Sequence, residues 1–209
     1  MKNTVFTGAA VAIVTPFTNN QVNYDQLGAM IERQIAGSTD AIVICGTTGE
    51  GSTMSDAEHR QVLDFALKVA AGRVPMIAGT GSNDTAYAVH LTEFACRIGY
   101  DALLVVTPYY NKATQRGLIA HFTAIADAST KPLILYNVPG RTGCNLNPSS
   151  CAILADHPNI AAIKEASGNM AQAVEMAALC GDKLDIYSGE DGITLPLLSI
   201  GGKGCISVA

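Results

Sequence analysis

The sequence predicts an α/β fold of the (β/α)8 TIM-barrel class, and three observations carry that expectation. Short apolar runs recur at intervals of roughly thirty residues, the period of a repeated βα unit. Most of the runs are continuous rather than alternating, as in parallel strands buried on both faces. Amphipathic segments with helical spacing lie between them. The expected strands are residues 9–14, 41–45, 75–78, 102–106, 132–136, 160–164, 184–187 and 204–208.

The helices follow from periodicity and end signals. Residues 24–37 place Leu27, Met30, Ile31 and Ile35 on one face. Residues 55–71 open with Ser55 and carry Glu58 three positions on, a capping-box pattern. Segments 83–98, 115–128, 147–156 and 169–180 read the same way, and Pro148 occupies a favoured first-turn position. No Pro/Ser-rich linker or charge run divides residues 1–209, so one barrel domain is expected. It is expected to be incomplete at its C-terminus and to lack the last barrel helix. The sequence stops inside the eighth strand, whereas such barrels typically take about 250 residues. A doubly wound open sheet is the rival fold. It needs a phosphate-binding glycine loop after the first strand, where this chain has Thr15-Pro16-Phe17.

Composition excludes several classes. Of 209 residues, 48% are hydrophobic and 15% charged, the opposite of a disordered chain. A net charge of -5 does not suit a nucleic-acid surface. No apolar stretch approaches the roughly 20 residues that cross a bilayer, and the start does not read as a signal peptide, so a cytoplasmic protein is expected. The six cysteines form no C-x-x-C pair and the four histidines show no ligand spacing, so neither disulfides nor a metal is expected.

Barrel chemistry collects at the C-terminal ends of the strands. Lys164 ends the run Ile160-Ala161-Ala162-Ile163. A lysine there is desolvated and favours the neutral amine that attacks carbonyls. Alternatively, it reaches solvent or pairs with Glu165. Tyr136 ends another run and either passes protons or fills the core. Arg141 follows a Pro-Gly turn and is either a carboxylate clamp or a solvated surface group. Thr47 and Thr48 either hold a carboxylate or make a turn. Tyr109 and Tyr110 sit in a loop and suggest a pocket or an interface. Gly201-Gly202-Lys203-Gly204 precedes a strand and reads as a turn. Spacing alone licenses carbonyl chemistry on small acids and nothing narrower.

Four ordered motifs then resemble one family: Gly46-Thr47-Thr48-Gly49-Glu50, Thr107-Pro108-Tyr109-Tyr110-Asn111, Tyr136-Asn137-Val138-Pro139-Gly140-Arg141-Thr142-Gly143 and Ile163-Lys164-Glu165-Ala166. They resemble the signatures of dihydrodipicolinate synthase, also called 4-hydroxy-tetrahydrodipicolinate synthase, along essentially the whole chain. The resemblance implies a class I aldolase in which Lys164 forms a Schiff base with pyruvate. The derived enamine then attacks aspartate 4-semialdehyde, giving 4-hydroxy-tetrahydrodipicolinate for diaminopimelate and lysine biosynthesis. It implies a proton relay of Thr47, Tyr136 and Tyr110, with Tyr110 donated across a dimer interface. Thr48 would hold the pyruvate carboxylate and Arg141 that of the semialdehyde, while Gly189 and Ile206 line the site through their backbones. No cofactor is implied, and the assembly would be a homodimer or homotetramer.

Sister pyruvate aldolases, N-acetylneuraminate lyase and keto-sugar-acid aldolases, share the lysine and tyrosine. The Thr47-Thr48 pair together with Arg141 favours the synthase. A non-catalytic or truncated barrel subunit is the reading from another class, because the family's C-terminal helical region has no counterpart here. Lysine feedback is expected to be weak or absent. Asn83, His59 and Tyr109 match that effector site, but Asp56 stands where some members have histidine and Tyr87 where they have glutamate.

Overall fold

Eight parallel strands close on themselves in the computed structural model, which describes residues 3–208. The barrel strands are β1 (Gly8–Ala12), β4 (Ala41–Ile44), β5 (Met76–Gly79), β6 (Ala102–Val106), β7 (Leu133–Asn137), β8 (Ile160–Glu165), β9 (Asp185–Ser188) and β10 (Gly204–Ser207). Sequence neighbours pair in order around the ring, and β10 closes it against β1 with Gly8 opposite Gly204. A Cβ on Gly204 would run into the Gly8 carbonyl, so glycine at 204 is what lets this seam close. The expected barrel is thus the observed one. The strands β4 and β5 are buried at every position, which is why they read as unbroken apolar runs.

A short hairpin, β2 (Phe17–Thr18) with β3 (Gln21–Val22), follows β1 and has no counterpart among the expected elements. Its turn residues Asn19 and Asn20 both have positive φ, which asparagine tolerates better than most side chains.

The helices α1 (Tyr24–Ala36), α2 (Asp56–Ala70), α3 (Thr85–Ile98), α4 (Gln115–Asp127), α6 (Pro148–Ala155) and α7 (Met170–Cys180) fall where periodicity puts them. Side chains cap two of their starts, one of them at Ser55 where the sequence suggests a cap. Asn23 accepts from the Gln26 N–H, and Ser55 accepts from the Glu58 N–H. Each such cap is worth about 1 kcal/mol. Two short helices, α5 (Pro139–Thr142) and α8 (Thr194–Ser199), are not among those expected.

Strand alternation divides the core in two. One cluster lies between strands and helices and includes Leu27, Ile31, Leu63, Leu91 and Phe122. The other fills the barrel interior with small residues such as Ala10, Ala41, Ala102 and Ala162. At the base of that interior Phe6 stacks on Tyr187, with ring centroids 4.3 Å apart, and the Tyr187 hydroxyl donates to the Phe6 carbonyl at 2.7 Å. The lower end is therefore plugged, and the open mouth is the end where the strands terminate. No helix among the described residues is long and apolar enough to cross a membrane.

Candidate active site

Alternation along β8 decides which way its side chains face. Ala162 belongs to the interior cluster and Ile163 to the outer one. Lys164 therefore points into the barrel, where it lines a cavity of about 250 Å3 at the mouth. It is only 4% exposed. Glu165 faces the opposite way, toward the helices, so the Lys164–Glu165 pairing open to the sequence does not form.

In register beside Lys164 on β7 stands Tyr136, and the lysine Nζ lies 4.5 Å from the centre of its ring. Burial drives the Lys164 pKa from 10.5 down to about 8. The Asp191 carboxylate opposes that fall and the Arg141 guanidinium adds to it. At pH 7.5 about a quarter of such a lysine is the free amine, against about one in a thousand at the ordinary value. Tyr136 is pushed up by its own burial, while the charge of Arg141 and a hydrogen bond with Thr47 pull it back.

The same cavity is lined by Thr47, Thr48, Arg141, Gly189 and Ile206. Thr47 and Thr48 come from the turn after β4, Arg141 from α5, and Ile206 from β10. Around Arg141 the chain is tied by the Thr142 hydroxyl, which donates to the Val138 and Cys144 carbonyls at 3.2 and 3.0 Å. Gly189 is required by close approach: a Cβ there would sit 2.8 Å from the Lys164 Cε. A second lobe of about 250 Å3 shares Thr47, Tyr136 and Arg141 and extends to Tyr109. A buried amine, a phenol, two hydroxyl groups and a guanidinium thus converge on one space that fits a small oxo acid.

Tyr110 is the exception. It is 86% exposed, holds a positive φ of 77°, and lies outside the cavity of its own chain. For an aromatic residue that backbone conformation is a strained one.

Sequence reasoning missed Asp191 and Ser207. Both line the cavity, and the Ser207 hydroxyl donates to the Asp191 carboxylate at 3.0 Å. The available signal was their place just beyond or at the end of a barrel strand. The six cysteines carry no disulfide in the structure.

Comparisons with known proteins place the chain in a family. Residues 5–209 match the dihydrodipicolinate synthetase family. The 4-hydroxy-tetrahydrodipicolinate synthase of Trichlorobacter lovleyi is 57% identical over 204 residues, covering 98% of this chain and 70% of the relative. That of Acetivibrio thermocellus is 54% identical over 208 residues, covering 100% and 70%. The crystal structure of dihydrodipicolinate synthase from Aquifex aeolicus superposes with a TM-score of 0.95 at 46% identity, covering 97% of this chain and 70% of that one. Relatives above half identity along nearly the whole chain are lyases of one name, and this barrel belongs to the dihydrodipicolinate synthetase family.

Proposed function

We propose that the chain condenses pyruvate with aspartate 4-semialdehyde to 4-hydroxy-tetrahydrodipicolinate through a Schiff base on Lys164. The observation that carries this reading is the buried Lys164 amine, with its pKa of about 8, against the Tyr136 ring. The neutral Nζ attacks the pyruvate ketone, and loss of water gives an iminium. That cation draws electrons from the adjacent methyl group, which gives up a proton and becomes an enamine carbon. The carbon attacks the aldehyde, whose oxygen takes up a proton. The amino group of the former semialdehyde then displaces Lys164 as the ring closes. No cofactor enters any of these steps.

In this reading Thr47 and Tyr136 carry protons between the imine and the cavity. Thr48 receives the pyruvate carboxylate, and Arg141 forms a bidentate pair with that of the semialdehyde. Gly189 and Ile206 border the imine through their backbones. Tyr110 completes the relay in a neighbouring subunit, a role consistent with its exposure and strained backbone. The working protein is then a homodimer or a homotetramer, acting in the cytoplasm.

The test is to supply pyruvate with aspartate 4-semialdehyde and to follow pyruvate consumption and the cyclic product by mass spectrometry. Formation of the product is expected. A folded chain that consumes no pyruvate, or that accepts only sugar aldehydes, would overturn the proposal.

A further inference from the structure

One residue beyond the Tyr136/Lys164 pair, β7 and β8 carry a second pair that faces away from the cavity. Asn137 and Glu165 are opposite each other in register, and both are completely buried. The Asn137 amide donates to the Glu165 carboxylate at 3.0 Å. Glu165 takes two further donors, the Ser167 N–H at 2.6 Å and the Gln172 amide at 3.4 Å. Asn137 in turn accepts from the Leu146 N–H at 2.9 Å and donates to Asn145 at 3.0 Å. Asn145 and Gln172 close the circuit with reciprocal amide bonds of 2.8 and 3.2 Å. All three donors to this buried carboxylate are amide N–H groups, an expensive arrangement for stability alone.

A second observation gives the arrangement a purpose. The β7–β8 register shifts between Leu133 and Ile134: Leu133 faces Ile160, but Ile134 faces Ala162. The ladder is thus not continuous from end to end, and a slip of one residue above the shift would turn Lys164 out of the barrel and Glu165 into it. Above the bulge, the side-chain bond that spans the two strands is the one from Asn137 to Glu165.

We propose that the Asn137–Glu165 pair is a positioning device that locks the upper register of β7 and β8 and so holds the Lys164 amine against Tyr136 in the barrel interior. The inference rests on Lys164 being the nucleophile. Neither residue touches substrate. The hydrogen-bond pattern makes a specific demand: Glu165→Gln puts an amide N–H against existing donors, and Asn137→Asp puts two carboxylates face to face. Flipping the Asn137 amide cannot repair the first, because its oxygen already serves Leu146. The double variant, Asn137→Asp with Glu165→Gln, restores the pattern with reversed polarity. The new glutamine amide on β8 donates to the new aspartate carboxylate on β7. That carboxylate still accepts from the Leu146 N–H, and the Asn145–Gln172 pair flips as a unit, with the exposed Asn147 amide turning over beside Asn145.

The test is the rate of borohydride-trapped pyruvate adduct on Lys164 across pH, with folding followed by circular dichroism. Each single variant is expected to lose about 10²-fold in trapping rate, the scale of a misplaced reacting group, and to move the pH midpoint upward as the amine gains solvent. The double variant is expected to recover to within a few-fold, with the wild-type midpoint. Folded single variants that trap like the wild type overturn the proposal. So does a double variant as impaired as the singles, or one that fails to fold, since its pattern meets every stated demand. If the wild-type chain itself gives no adduct, it is the assignment of Lys164 that fails.

Discussion

Replacing Lys164 by methionine tests the energetics of the site directly. Methionine fills a similar volume without the charge. Lys164 is buried, and desolvation lowers its pKa from 10.5 to about 8. That fall is worth about 3 kcal/mol, the penalty of holding an ammonium in this cavity. The sign follows from proton counting. Below pH 8 both folded and unfolded states bind the proton, so the full penalty is present. Between about 8 and 10.5 only the unfolded state binds it, and wild-type stability rises with pH. Lys164→Met is therefore expected to be about 3 kcal/mol more stable than wild type at pH 7 and about 1 kcal/mol or less at pH 10. Urea unfolding at the two pH values measures both differences. A variant less stable than wild type at pH 7, or an advantage that does not shrink with pH, would show that burial of the Lys164 ammonium carries no such penalty.

Three further outcomes follow from the same geometry. Arg141→Ala is expected to cost about 10²-fold in kcat/KM for the semialdehyde, the scale of a lost bidentate charged pair, while pyruvate still traps on Lys164. Because Arg141 also lowers the Lys164 pKa, the pH midpoint for trapping moves up in that variant, and steady-state kinetics with a trapping profile checks both. Gly189→Ala places a Cβ 2.8 Å from the Lys164 Cε, so trapping is expected to fall by an order of magnitude or more while circular dichroism is unchanged. Millimolar L-lysine is expected to leave the rate unaltered. Asp56 is already engaged by Arg60 at 2.8 Å and by the Tyr87 hydroxyl, and clear inhibition at sub-millimolar lysine would contradict this.

The strands were legible because a barrel strand is buried on both sides, and Ala41–Ile44 or Ala102–Val106 leaves no polar interruption to misread. The β2–β3 hairpin was not, since strands of two residues carry no period; only Asn19-Asn20 marked the turn. Helix α5 is a single turn, and α8 is six residues with Pro196 inside it, too short for periodicity to register. In the site, Lys164 and Tyr136 stood out as polar endings to apolar runs. The sequence leaves Glu165 open as a partner of its neighbour, but strand alternation separates adjacent side chains onto opposite faces. Its true partners, Asn137 and Gln172, become visible only when the strands are paired. Asp191 bears on Lys164 across the cavity for the same reason: its influence is through space, from a segment 27 positions away.

Covalent trapping shows whether Lys164 is a nucleophile made reactive by burial. The protein is incubated with pyruvate from pH 6 to pH 10 and reduced with borohydride, and the modified residue is located by mass spectrometry. One adduct is expected, on Lys164, with a rate that rises as the amine deprotonates through a midpoint at about pH 8. An adduct on another lysine, no adduct on a folded chain, or a midpoint at the ordinary lysine value would contradict it.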